Sequence, residues 1–174
     1  MSSHATYLGA TILTAMGLCA TPSDALATDV GVNGHPFGLG LQIGAPLGIT
    51  GKYYLGGRRN AIDFVLGGFS DSRNGFNNSI YLQGTYLWHP STLAHEPAFD
   101  LNWYIGIGAF VWDVGRFSGA AGVHAPLGLA FDLNDPSVSQ LQFYGEIALN
   151  INLINNLGWY ASGLGIAIGG RYYF

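Results

Sequence analysis

Charge is what this sequence has least of. Of its 174 residues, 9% are charged, six basic and ten acidic, against about 25% in ordinary soluble domains. A surface facing water on all sides needs more Lys and Glu than that. The basic residues do not cluster either, since Arg58-Arg59 stands alone in what reads as a turn, so nucleic acid is not an expected partner. Long apolar runs are missing beyond the N-terminal stretch: no run of 18 or more residues is available for a spanning helix. Cysteine is limited to Cys19.

The N-terminal stretch reads as an export signal. Tyr7 to Ala20 is apolar but too short to span a bilayer, and Pro22 and the small-residue site Ala25-Leu26-Ala27 follow it. Cleavage is expected after Ala27, giving a signal peptide over 1–27 and one domain over 28–174. No Lys or Arg precedes the apolar stretch, so the positive charge falls to the α-amino group and His4. Leu18 before Cys19 is too bulky for a lipidation site. Cleavage would remove Cys19 and leave a chain without a thiol, suited to an oxidising periplasm.

What the chain does contain is hydrophobic residues (49%), glycine (27 residues) and aromatics (14%), with a mean hydropathy of +0.27. These are dealt out with a period of two, the signature of strands with two unlike faces. The alternation predicts strands over about 37–45, 48–56, 61–69, 79–89, 100–112, 119–133 and 139–153, and a last one closing on Phe174. The seventh is the clearest: Leu141, Phe143, Ile147, Leu149, Ile151 and Leu153 oppose Gln142, Tyr144, Glu146, Ala148, Asn150 and Asn152. Eight strands of roughly 9–11 residues match the length that crosses a bilayer at a tilt. The segment 90–97 is expected as a longer connection.

Chemistry decides which face points where. The more polar face is mostly Gly, Ala, Thr, Gln, Asn and Tyr, with about one charge per strand at most, while the other carries no charge mid-strand. A lipocalin-like barrel, apolar inside and solvated outside, does not fit. The expected fold is all-β: a closed antiparallel up-and-down transmembrane β-barrel with its polar face inward, where eight strands leave room only for side-chain filling. Trp88, Trp103, Tyr172 and Phe174 at one set of strand ends, and Trp159 at the other, read as aromatic girdles.

The closing Gly169-Gly170-Arg171-Tyr172-Tyr173-Phe174 resembles the C-terminal recognition signal of outer-membrane barrels, with Tyr172 and Phe174 as its alternate positions. The resemblance implies a location in the bacterial outer membrane and recognition by the barrel assembly machinery. The whole chain after residue 27 resembles the OmpA/OmpX-type small barrels. Residues 44–55, Asn60-Ala61-Ile62-Asp63 and 124–129 are similar to a narrower family of small bacterial barrels of unassigned function. In that family Arg is more frequent where His124 stands. The resemblance speaks to architecture rather than activity.

The inward ionisable residues are Lys52, Asp63, His124, Asp132, Glu146 and Arg171. Charges enclosed in a narrow apolar wall must pair. The expected network is centred on Glu146 with Lys52 and Arg171, with Asp63 and His124 at its margins, and Glu146→Gln is expected to lower thermal stability. Such a network plugs the lumen; the alternative is a narrow gated pore for ions or small solutes. Catalysis is not expected. The one close nucleophile–base pair, His89-Pro90-Ser91, has no evident acid or oxyanion donor, so a lipid-modifying enzyme is the weakest reading. His35, His89, His95 and Glu96 read as solvated turn residues rather than a metal site, and no cofactor is expected. The expected partners are outer-membrane lipid and an extracellular ligand of unknown identity, met by a monomer through its loops. Arg73, Asn74, Phe76, Arg116 and Phe117 are the exposed loop candidates.

Overall fold

The computed structural model describes residues 30–68, 80–113, 119–155 and 163–174. The expected signal peptide, Trp159 and the loop candidates Arg73, Asn74, Phe76, Arg116 and Phe117 lie outside the described residues.

The strands are β1 (Phe37–Gly44), β2 (Leu47–Tyr54), β3 (Asn60–Gly68), β4 (Ile80–Trp88), β5 (Thr92–His95), β6 (Phe99–Asp113), β7 (Gly119–Leu133), β8 (Leu141–Asn155) and β9 (Gly163–Tyr173). Each pairs antiparallel with its neighbours, β1 pairs with β9, and β4 pairs with β6. The result is a closed eight-stranded barrel. The ninth strand, β5, was not expected within 90–97. It pairs with β6 at Thr92↔Asn102, just past the last β4 pair, Trp88↔Ile105. It therefore carries the line of β4 onward after an interruption at His89-Pro90-Ser91, where a proline without an N–H interrupts a ladder.

Side chains alternate along the wall as the period of two demands. In β4 every other residue is buried, and the exposed set is Ile80, Leu82, Gly84, Tyr86 and Trp88. Large aliphatic residues stand on the outside of every barrel strand, from Leu41 at 67% exposed to Leu164 at 80%. Lys52, Asp63, Arg171 and Gln142 are buried inside. The molecule is apolar outside and polar within.

An interior this narrow cannot take large side chains at every inward position. The sequence solves this by setting aromatics against glycine directly across the ladder. Tyr104 pairs with Gly128, Tyr144 with Gly169 and Tyr173 with Gly38. A Cβ at Gly128 would lie 2.3 Å from the Tyr104 ring, and one at Gly169 2.5 Å from the Tyr144 ring. Each ring lies flat on the wall only because its partner has no side chain. Phe64 over Gly51 and Phe143 over Gly170 repeat the device on the outer face.

We call the end where Phe37 and Phe174 meet the lower end; their rings are 6.4 Å apart. A strap, residues 30–36, crosses it. Val32 and His35 form a β-bridge, and Val32 is fully buried against a cluster that includes Tyr54, Leu87, Tyr104 and Tyr173. Asn33 Nδ2 donates to the carbonyls of Leu133 (3.1 Å) and Ser139 (2.6 Å). The strap spans part of the lower mouth. Trp88, Trp103, Tyr172 and Phe174 lie on strands near this same end, with Trp88 and Phe174 half or more exposed.

Candidate functional site: the polar lumen

The interior is organised around Arg171 on β9, which is 1% exposed. Its guanidinium pairs with Asp63 on β3 and donates to Thr50 Oγ1 from Nη2 (2.7 Å) and Nε (3.1 Å). The Tyr144 ring lies 3.9 Å beneath it. A buried charge is tolerable when it is paired and hydrogen-bonded, and Arg171 has the Asp63 carboxylate, the Thr50 hydroxyl and, at 3.5 Å, Gln142 Oε1. The centre of the network is thus Asp63–Arg171, not Glu146. Parity alone places these residues inside, but which of them meet depends on β1 lying between β2 and β9.

Glu146 accepts a hydrogen bond from Tyr104 Oη at 2.8 Å and forms none of the ion pairs among the described residues. Lys52 is not its partner. The Lys52 ammonium, fully buried, lies 2.9 Å from His89 Nε2, 4.7 Å from the Tyr54 ring centre and 5.2 Å from that of Tyr104. Two π-faces and one imidazole take the place of a carboxylate.

His89 overturns the expectation of a solvated turn residue: it is 7% exposed. Its Nδ1 faces the Arg59 carbonyl at 3.2 Å and must donate there, which leaves Nε2 to accept from Lys52. The ring is neutral. Burial, then the neighbouring Lys52 charge, push it from 6.5 down to about 2. With both nitrogens engaged, and with Ser91 Oγ accepting from Trp103 Nε1 at 3.1 Å, His89 and Ser91 do not form a nucleophile–base pair.

Nearer the lower mouth, Asp132 accepts from Arg58 Nη2 (2.8 Å), Asn102 Nδ2 (2.9 Å) and Gln142 Nε2 (2.6 Å). Burial disfavours the charged form of Arg58, but Asp132 and their hydrogen bond outweigh it and hold the guanidinium above its ordinary value. Asp100 pairs with both Arg58 and His95, so His95 too has a partner. A polar pocket of about 300 Å³ opens here, lined by residues that include Arg58, Arg59, His89, Asn102 and Asp132. Among the described residues no three His, Cys, Asp or Glu come together as a metal site.

His124 stands apart from this network. On β7, it pairs across the ladder with Asn150, and its Nδ1 lies 2.7 Å from Asn150 Oδ1. Gln142 was missed as a site residue although its parity points it inward. It is fully buried and joins Asp132, Tyr173 (2.9 Å) and Arg171 (3.5 Å). Gln42 was missed likewise: Tyr144 Oη donates to it at 2.7 Å, and it donates to the Pro46 carbonyl at 3.1 Å. An uncharged inward residue gives no sign in the sequence of how much it connects. Compared with protein-family models, curated proteins and solved structures, the chain finds no match.

Proposed function

We propose that the chain is an integral outer-membrane β-barrel with a plugged polar lumen, serving envelope structure or interaction at the surface through its loops. The observation that carries this reading is the outer wall. Exposed aliphatic side chains stand on every barrel strand, while the charges of the strands, apart from Asp113 at the end of β6, lie within. Such a belt in water would be a large aggregation surface; in lipid it is the expected coat. Backbone closure supports the same reading, since a closed ladder leaves no unpaired edge for lipid to meet. The lower end, with the strap and Phe174, would face the periplasm, and the upper strand ends at Gly68, Ile80, Asp113, Gly119, Asn155 and Gly163 would face outward. Outer-membrane lipid and the assembly machinery are the partners this implies.

Ile107, 64% exposed in the middle of β6, tests the placement. Ile107→Arg is expected to lower unfolding stability in lipid vesicles by about 2–4 kcal/mol; a wall that faces water would lose nothing. Conductance of the folded protein in a planar bilayer separates a plug from a pore. Silence fits the plugged lumen, and steady openings would make the narrow pore the better reading.

A further inference from the structure

We propose that the polar pocket at the lower mouth is a binding site for a small oxyanion, an organic carboxylate or phosphate ester. The inference goes beyond the plugged-barrel reading and does not depend on it, because the folded barrel presents this mouth in detergent as in lipid. The pocket holds about 300 Å³, at the small end of ligand cavities, and barrel mouths are a frequent place for one. No residue of the strap lines it. The strap reaches from Tyr54 to the carbonyls of Leu133 and Ser139, whereas the pocket lies on the side of His89, Pro90, Ser91 and Thr92. Between the pairs Trp88↔Ile105 and Thr92↔Asn102, His89-Pro90-Ser91 stand opposite only Trp103 and Tyr104. That surplus residue takes the wall out of the ladder, and all of His89, Pro90 and Ser91 line the pocket.

The hydrogen bonds that the pocket leaves unspent set the chemistry of the guest. Its one acid is occupied by the wall, since Asp132 accepts from Arg58, Asn102 and Gln142. Thr92 Oγ1 donates to Asn102 Oδ1 at 2.7 Å, and both His89 nitrogens are engaged. Donors remain. Ser91 Oγ accepts from Trp103 Nε1 and keeps its own hydrogen to give, and Asn102 keeps one amide hydrogen. Arg59 lines the pocket and is exposed, and among the described residues its guanidinium has no ion pair and no hydrogen bond. Formal charge leans the same way. At the pocket or directly behind it, Lys52, Arg58 and Arg59 outnumber the carboxylates of Asp100 and Asp132. Farther in, Asp63 is matched by Arg171, and Glu146 lies beyond Tyr104. A donor-rich pocket with a cation in excess and a free guanidinium fork suits an oxyanion, which such a fork holds through two parallel hydrogen bonds. The Tyr54 and His89 rings, 5.5 Å apart, supply carbon surface for the body of the ligand.

The test is a titration of the isotope-labelled, folded barrel in nonionic detergent, followed by its backbone amide signals in NMR. Glycerol 3-phosphate and lactate are the two anionic probes, and glycerol is the uncharged control. Saturable shifts at Arg59, Ser91, Thr92 and Asn102 are expected, with a Kd of about 1 mM or tighter for the better anion. Glycerol is expected to shift none of them. Preference for glycerol 3-phosphate assigns the site to phosphate esters, and preference for lactate assigns it to carboxylates; either supports the proposal. Arg59→Gln removes a side chain that holds nothing else in place, so the variant folds, as heat-modifiable gel migration checks. It is expected to weaken the better anion at least about tenfold, the share of a charged hydrogen bond. No saturable shift by either anion up to about ten times that Kd would overturn the site. Binding of glycerol as tight as that of the anions, or anion binding untouched by Arg59→Gln, would overturn it equally. None of these outcomes bears on the membrane placement, which Ile107→Arg tests separately.

Discussion

The two halves of the lumen are built from different materials. In the lower half Tyr54, Tyr104, Tyr144 and Tyr173 surround Lys52 and Arg171, and almost every polar atom there has a named partner. In the upper half His124 faces Asn150 and lies beside Gly108, Gly122 and Pro126, a stacked Tyr81–Phe110 pair fills the wall toward the upper end, and one ring nitrogen is left over. In the lower half rings lie on glycines and charges lie on rings. The upper half carries fewer charges and is packed with rings and amides. One wall, with one alternation of faces, holds both, because inward residues can be exchanged without disturbing the outward belt.

That contrast can be broken most severely at its charged centre. Arg171→Met leaves the Asp63 carboxylate buried without its cation, and unfolding in vesicles is expected to show a loss of about 3–5 kcal/mol. The double variant with Asp63→Asn should recover part of it. Glycine replacement cuts next: Gly169→Ala forces the Tyr144 ring off the wall and is expected to cost about 1–3 kcal/mol. Gly84, with nothing within 4 Å of an added Cβ, should accept Ala within about 0.5 kcal/mol. Equal losses at the two glycines would remove the packing argument.

Acid sharpens the comparison further. The unfolded chain protonates His89 below about 6.5, while the folded chain resists until about 2. The unfolded state therefore binds the extra proton in that window, and stability is full above 6.5 and falls as pH is lowered. Of the measured slope, up to about 1.4 kcal/mol per pH unit belongs to this residue, and His89→Gln should flatten the stability–pH curve by that share. The smallest effect is assigned to Glu146→Gln. The amide keeps an acceptor for Tyr104 Oη, and no cation pairs with Glu146 among the described residues, so a change under about 1 kcal/mol is expected. That reverses the reasoning behind the expected loss of thermal stability, which took Glu146 as the network's centre.

The reason for that reversal marks what a sequence of this kind discloses. Period-two alternation identifies the inside residue by residue, so Lys52, Asp63, Asp132 and Arg171 were all placed on the inner face. Strand limits came within about two residues because Gly, Asn and Pro punctuate them. Pairing is another matter. Arg171 meets Asp63 and Thr50 across strands that are distant in sequence, and neither closure nor tilt leaves a local signal. His89 was misread because it follows the last strand residue and precedes a proline, the pattern of a turn; its burial comes from Tyr54, Tyr104 and Lys52 on other strands. The strap left no trace, since Gly31-Val32-Asn33-Gly34 has no period.

The strap also bears on the order in which the molecule is put together. Val32 belongs to one buried cluster with Tyr54 from β2, Tyr104 from β6 and Tyr173 from β9, so its seat is assembled from strands spread over most of the chain. Closing β1 against β9 joins the two ends of the sheet, the most distant pairing in the sequence, and contacts of such separation form late. Residues near the beginning of the described chain are therefore among the last to find their place. A seated strap is a record that the ring has already closed.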